Sequence, residues 1–198
     1  MLRSFHTKGL LEAGCDEAGR GCLAGPVVAA AVVLPARVRL PGLDDSKKLT
    51  EARREALAPL IRDRAMAWAV AEVAPAEIDR INILQASFLA MHRAIDALGV
   101  DPELLLIDGD RFRRHASIAH VCVIKGDGIY RSIAAASILA KTHRDALMVR
   151  LHREHPEYAW AVNKGYPTTD HRRAIRLHGP TVHHRSSFRL LPEPPGLF

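Results

Sequence analysis

Cysteine is scarce in this chain: Cys15, Cys22 and Cys122 are the only three in 198 residues. The number is odd and no pair has C-x-x-C spacing, which speaks against a disulfide framework and against a structural zinc site. Such usage suits a reducing compartment, and the cytosol is the expected location. No apolar run approaches the roughly 20 residues of a membrane span. The segment Met1–Gly9 carries charge without the adjoining apolar core and cleavage site of a secretory signal. Internal repeats and long linkers are also missing. What remains is a soluble globular protein, and 198 residues fit one domain with a proper core.

What is present is positive charge. Lysine and arginine number 28 against 22 acids, a formal net charge of +6 that would draw the protein towards a polyanion. Acids gathered around a cation would leave the remaining surface more basic still. The 11 histidines include the adjacent His183-His184, which in a basic stretch reads as a surface feature rather than a zinc site.

Apolar patterning predicts strands at Leu10–Asp16, Val27–Leu34, Met66–Val73, Leu104–Ile107 and His120–Ile124. Helices are expected from a cap at Ser46 or Thr50 to about Arg64, from Pro75, over Ile83–Leu98, from Arg131 to about Glu154, and over Thr168–His178. The proline-rich tail, Pro192–Phe198, is expected to be loosely ordered. Strands interleaved with helices give an α/β sheet with covering helices. The expected organisation is one domain over residues 1–198, with about 155–198 as a helical C-terminal extension.

Three predicted strands run into acids: Asp16-Glu17, Asp108 and Asp127. Strand carboxyl ends are where open α/β sheets gather ligand-binding residues, and crowded acids call for a divalent cation with oxygen ligands. Strand period points Asp16 and Glu17 to opposite faces, so both reach one site only if the strand ends or kinks, as Gly19 would permit. Asp110 can share the face of Asp108, and periodicity does not choose between them. After the first acid pair, Gly19-Arg20-Gly21 allows close backbone approach and offers a guanidinium fork suited to phosphate. A cation site beside a polyanion grip is what a phosphodiester-cutting enzyme needs.

These residues recur with others in a set order. Asp16–Gly21 and Ala24–Val27 are followed by Leu43–Leu49, Ile107–Gly109, Lys125–Asp127, Ser132–Lys141, Arg144-Asp145 and Asn163–Thr168. In these blocks the chain resembles ribonuclease HII, the bacterial type 2 ribonuclease H. The resemblance implies the ribonuclease H-like fold, a mixed sheet with flanking helices whose first three strands form an antiparallel meander around a central first strand. It implies cleavage of the RNA strand of RNA–DNA hybrids and incision 5′ of ribonucleotides embedded in duplex DNA, with Mn2+ or Mg2+. Asp16, Glu17, Asp108 and Asp127 are then the catalytic and metal-binding carboxylates, Asp108 being preferred to Asp110 because the family's third acid directly follows its strand. One cation would activate water and another would stabilise the leaving 3′-oxygen, giving 5′-phosphate and 3′-hydroxyl ends.

Gly19, Arg20, Gly21 and Tyr166 resemble the family's device for recognising a ribonucleotide joined to DNA, whose local mark is the 2′-hydroxyl. Lys47 and Asn82 are candidate phosphate contacts, with Lys48 readable as a solvated lysine. Ser132, Ser137 and Lys141 share the helix after Asp127, and Ser132 and Lys141 are taken as substrate-binding. Arg144 and Asp145 read as a structural ion pair, and Asp145 is not counted as a metal ligand. Lys164, Arg172, Arg173, Arg176, Arg185 and Arg189, with His171, His178, His183 and His184, fit a basic extension along a duplex, a solvated helix being the rival reading. Expected partners are RNA–DNA hybrid and ribonucleotide-containing duplex DNA, with no membrane and a monomeric state. Whether the tail contacts a replication clamp stays open from sequence. The alternatives are a ribonuclease HIII-like enzyme, which typically carries an extra N-terminal domain, a catalytically silent hybrid-binding module, and a junction resolvase or integrase on a related fold.

Overall fold

The computed structural model describes residues 2–116 and 118–192, so all of the tail expectation except Pro192 lies outside the described residues. A five-stranded sheet in the order β3-β2-β1-β4-β5 forms its centre. Strand β1 (Glu12–Ala18) pairs antiparallel with β2 (Val27–Val33), and β2 pairs antiparallel with β3 (Ala67–Val73). On the other side of β1, β4 (Leu104–Asp108) and then β5 (Ala119–Val123) add in parallel. The mixed sheet, the central first strand and the meander agree with the expectation.

Both faces of the sheet are covered, which is why β2 reads as an unbroken apolar run and is buried at all seven positions. Ala13, Cys15, Ala29, Ala31, Leu105 and Ile107 face helix α3 (Ile83–Asp96). Val28, Ala30 and Val32 face α1 (Glu51–Arg64) and α4 (Arg131–Glu154). The alanine-rich start of α4 lets it lie close on β1. An ideal Cβ on Gly14 would stand only 2.2 Å from the carbonyl carbon of Ser132.

Local chemistry sets most helix ends. Thr50 caps α1 by accepting from the Arg53 N–H, while Ser46 instead opens a separate 3-10 turn, Ser46–Lys48, capped by Asp45. Proline at its first turn starts α2 (Pro75–Ile81), and Asn82, at φ 65°, reverses the chain into α3. Beyond α4, a 3-10 turn at Pro156–Tyr158 and the short helix α5 (Trp160–Asn163) precede α6 (Thr169–His178). The left-handed residues Ala159 and Lys164 bracket α5, which four residues were too few to announce by periodicity. Tyr158 and Trp160, stacked with ring centroids 5.0 Å apart, bury this region against Leu23, Ala24 and Met148 of the preceding fold.

All three cysteines are free thiols, and no helix among the described residues is long and apolar enough to cross a membrane. Strand β1 starts and ends two residues later than predicted. Leu10 and Leu11 stay outside it, the Leu11 N–H donating to the Glu103 carboxylate at 2.8 Å.

Candidate active site

Parallel register brings the first acids together. Cys15 pairs with Ile107, so Asp16 and Asp108 follow side by side at the carboxyl ends of β1 and β4. Asp127 arrives from the 3-10 turn Gly126–Gly128 after β5, and the Gly126 N–H donates to Asp108 Oδ1 at 2.7 Å. One carboxylate oxygen from each of Asp16, Asp108 and Asp127 lies within 4.8 Å of the others. Asp110, 69% exposed and paired with Arg111, is not part of this cluster, so geometry selects Asp108.

Charge crowding and burial act together here. Burial, then the charges of Glu17 and Asp108, push the Asp16 carboxyl well above its usual range, against hydrogen bonds from Ser137 and the Glu17 N–H. Burial and the charge of Asp127 likewise raise Asp108, opposed by the Gly126 N–H. The Lys47 ammonium donates to Asp127 Oδ2 at 2.7 Å. An all-oxygen donor set of mutually repelling acids suits a hard divalent cation such as magnesium or manganese, which would neutralise them at once. The residues therefore fit the expected metal.

Glu17 does not join that cluster. It lies inside β1 rather than past its end, so the pleat sends it to the α3 side with Cys15, where Arg20 Nη1 donates to Glu17 Oε1 at 3.2 Å. The expected kink is not found within the strand. Burial raises the Glu17 carboxyl, Arg20 counteracts this, and Asp108 adds to the rise. Glu17 and Asp108 also border a shared cavity of about 260 Å³ in front of α3.

A second groove of about 260 Å³, which Glu17 and Arg20 also border, runs from Asp16 past Gly19, Gly21 and Lys47 to Lys141 and Tyr166. The Tyr166 ring is partly exposed, with the Lys141 ammonium 5.5 Å from its centroid. Gly19 takes φ 94°, and an ideal Cβ there would lie 2.1 Å from Arg144 Nε.

Two expected substrate contacts are placed elsewhere. Ser132 is buried against Gly14 and borders a cavity at the amino end of β1 with Glu12 and Glu103. Ser132 and Lys141 are nine residues apart, roughly half a turn out of phase on a helix of 3.6 residues per turn, and cannot share a face. Asn82 spends its carboxamide oxygen on the Leu84 and Gln85 N–H groups, as the cap of α3. The groove instead contains Ser46 and Arg54, which were not assigned to it from sequence, and Ser137, which is a candidate phosphate contact alongside Ser132 and Lys141 but is not taken as substrate-binding from sequence. The signal for Ser137 was its position four residues before Lys141, on the same helix face. Its hydroxyl lies 2.8 Å from that of Ser46.

The predicted Arg144–Asp145 pair is also corrected. Asp145 accepts from Lys141 at 2.7 Å, while Arg144 turns inwards to backbone carbonyls. Part of the basic extension is likewise turned to the protein itself. Arg172 donates to the carbonyls of Arg189 and Leu190, Lys164 reaches the Ala161 carbonyl and Glu51, and Arg185 is buried. Arg173, paired with Asp170, and Arg176 keep exposed positions.

His171 and His184 are core residues. Trp160 Nε1 donates to His171 Nε2 at 3.0 Å, and the Thr181 N–H donates to His184 Nδ1 at 2.9 Å. Burial, and then the neighbouring histidines, lower His184 to about 4. Its folded value lies below its unfolded one, so stability is complete above about pH 6.5 and is lost as pH falls towards 4. The loss should approach about 3 kcal/mol, from 1.36 kcal/mol per pH unit. The raised carboxyls Asp16 and Asp108 act with the opposite sign, so the contribution is read by difference. Urea unfolding of the wild type and of His184→Gln between pH 7 and 4.5 should show the stability of the wild type falling relative to that of the variant as pH is lowered. Equal slopes would remove His184 as the source.

Comparison with known proteins follows the same direction as the geometry. The family model described as Ribonuclease HII matches residues 13–191. Ribonuclease HII of Bacteroides thetaiotaomicron is 62% identical over 191 residues, covering 96% of this chain and 96% of that protein. The structure of the PCNA:RNase HII complex from Archaeoglobus fulgidus superposes with a TM-score of 0.79 at 29% identity, covering 95% of this chain and 98% of that one. Bst-RNase HIII in complex with Mn2+ aligns with a TM-score of 0.70 at 22% identity, covering 91% of this chain and 68% of that one, a likeness of fold.

Proposed function

Since the chain belongs to the ribonuclease HII family, and so is a metal-dependent endonuclease acting on the RNA strand of RNA–DNA hybrids, we propose that it also incises duplex DNA on the 5′ side of an embedded ribonucleotide. The observation that carries this reading is a single groove in which Tyr166 and the Gly19–Gly21 backbone adjoin Asp16. A reader of the sugar and a cutter of the adjacent phosphodiester thus share one wall.

Asp16, Asp108 and Asp127 would hold magnesium or manganese, either of which suits oxygen donors, and Glu17, which borders the groove beside Asp16, would complete the catalytic set. When bound, the metal supplies activation of water and stabilisation of charge on the reacting phosphate. The side chains are prepared for this. The Ser137 hydroxyl orients Asp16, the Gly126 N–H orients Asp108, and Lys47 steadies Asp127. Water's oxygen bonds to phosphorus as the bond to the 3′-oxygen breaks, leaving 5′-phosphate and 3′-hydroxyl ends. The Tyr166 ring would pack on the sugar, the Gly19–Gly21 backbone would meet the 2′-hydroxyl, and Arg20, Lys47 and Lys141 would face phosphate. The chain would act as a monomeric single domain, with the region from about 155 lying along the duplex.

The test is metal-dependent cleavage, mapped to the nucleotide, of a duplex with one ribonucleotide. One cut on its 5′ side is expected, and no cut there would overturn the reading. Tyr166→Ala should lower the rate on this duplex relative to continuous hybrid by roughly 5- to 150-fold, the range of about 1–3 kcal/mol for a lost buried contact. A continuous hybrid offers a 2′-hydroxyl in every register and tolerates a displaced reader; a lone ribonucleotide offers one. An unchanged ratio would make Tyr166 structural.

A further inference from the structure

Arg144 and Arg185 are each 0% exposed, and among the described residues no carboxylate lies within ion-pair distance of either. A buried charge without a counter-ion is costly and persists where its hydrogen bonds are put to use. Arg144 donates from Nε to the Pro26 carbonyl at 3.0 Å, from Nη2 to Ala24 at 2.9 Å and from Nη1 to Lys164 at 2.8 Å. Arg185 donates from Nε and Nη2 to the Gly25 carbonyl at 3.0 and 2.9 Å, and from Nη1 to Arg20 at 2.9 Å.

All these acceptors lie in two irregular segments. One, residues 20–26, carries the Arg20-Gly21 part of the Gly-Arg-Gly backbone; the other leads into Tyr166. Between them the backbone supplies a bond from the Leu23 N–H to the Gly165 carbonyl at 2.8 Å. Loops are ordinarily the mobile part of a fold, whereas hydrogen-bond recognition of a hydroxyl tolerates only a few tenths of an ångström.

We propose that Arg144 and Arg185 are positioning residues for ribose recognition, Arg185 by aiming the Gly21 N–H into the groove and Arg144 by fixing the Tyr166 segment opposite it. In a trans peptide unit the C=O and the following N–H point in opposite directions. Drawing the Arg20 carbonyl inwards onto Arg185 therefore turns the Gly21 N–H outwards, where no acceptor engages it among the described residues. Nothing would lie within 4 Å of a Cβ at Gly21, so the chain there is open to the approach of a ligand. Arg144, through the Lys164 carbonyl, ties the second segment to the first. Gly19 leaves the room this requires, since any side chain there would collide with the Arg144 guanidinium. The inference rests on the proposed reading of Tyr166 and of the Gly19–Gly21 backbone.

The experiment uses Arg144→Lys and Arg185→Lys, each checked for cooperative melting, with kcat and KM measured on the one-ribonucleotide duplex and on continuous hybrid. Lysine keeps the charge but cannot span several carbonyls with a planar fork. Each variant should lose about tenfold or more in the ratio of the two kcat/KM values, the effect of a misaligned hydrogen bond, with continuous hybrid cut at near the original rate. In a Tyr166→Ala background, Arg144→Lys should lower the ratio no further, whereas Arg185→Lys should still act in full. Folded variants that slow both substrates equally would overturn the proposal, as would independent effects of Arg144→Lys and Tyr166→Ala. If one variant does not fold, the other decides. If Tyr166→Ala alone leaves the ratio unchanged, the reading of Tyr166 fails and takes the Arg144 arm with it; a loss in Arg185→Lys would then still uphold the Gly21 arm.

Discussion

Asp108→Asn should cut RNA–DNA hybrid more slowly by on the order of a thousandfold, and Asp16→Asn should do the same. Charge stabilisation by a correctly held metal is worth several kcal/mol, and each 1.36 kcal/mol is a factor of ten in rate. Hybrid binding should persist or tighten, because a negative charge facing phosphate is removed. The apo protein should also melt higher, since both carboxyls are held above their ordinary range by burial and by the charge of neighbouring acids. Three readings on one preparation thus move in different directions: turnover down, affinity level or up, melting temperature up. A merely misfolded variant would lower all three. Asp110→Asn is the control, exposed and outside the cluster, and should behave like the wild type. Substantial magnesium-dependent turnover in both Asp16→Asn and Asp108→Asn would show that the metal lies elsewhere.

The largest stability effect should come from Gly14→Ala. The added methyl would stand 2.2 and 2.3 Å from backbone atoms of Ser132 and Ile133, which cannot rotate away as a side-chain tip can. Overpacking of this kind costs about 1–3 kcal/mol and occasionally more. Relief would come only by lifting α4 off β1, which would also draw Ser137 away from Asp16. Urea denaturation should show a lowered midpoint, with turnover falling in the same variant. Gly21→Ala, whose methyl would meet nothing within 4 Å, should leave the midpoint unchanged. A neutral Gly14→Ala would mean that the strand–helix contact is looser than the geometry requires.

Legibility in the sequence followed the range of the determining interaction. Thr50, Pro75 and Thr168 act within a turn of their own helices, and those starts were readable. The apolar run of β2 was equally plain, because burial on both faces removes alternation. β1 was misplaced by two residues, since pairing partners rather than its own apolar content decide where it begins and ends. That shift placed Glu17 inside the pleat and set it apart from the three other acids. Asp108 over Asp110 came from family resemblance, and the register of β4 supplies the physical reason. Arg144 and Arg185 were read as an ion-pair member and a basic surface residue. Charge in a sequence suggests solvent, and nothing local reveals that all but one of their partners are carbonyls more than a hundred residues away, Arg20 to Pro26.

The two neighbours of β1 reach it by very different routes along the chain. β2 folds back through a short turn, whereas β4 must close a loop comparable to the 92-residue separation of Leu11 and Glu103. Closing such a loop is slow, and its entropy cost is met before any contact rewards it. During synthesis, therefore, the emerging meander carries Asp16 and Glu17 alone, without the acids that would let it hold a metal. Hydrolytic capacity is a property of the finished sheet, and an incomplete chain has none to misdirect.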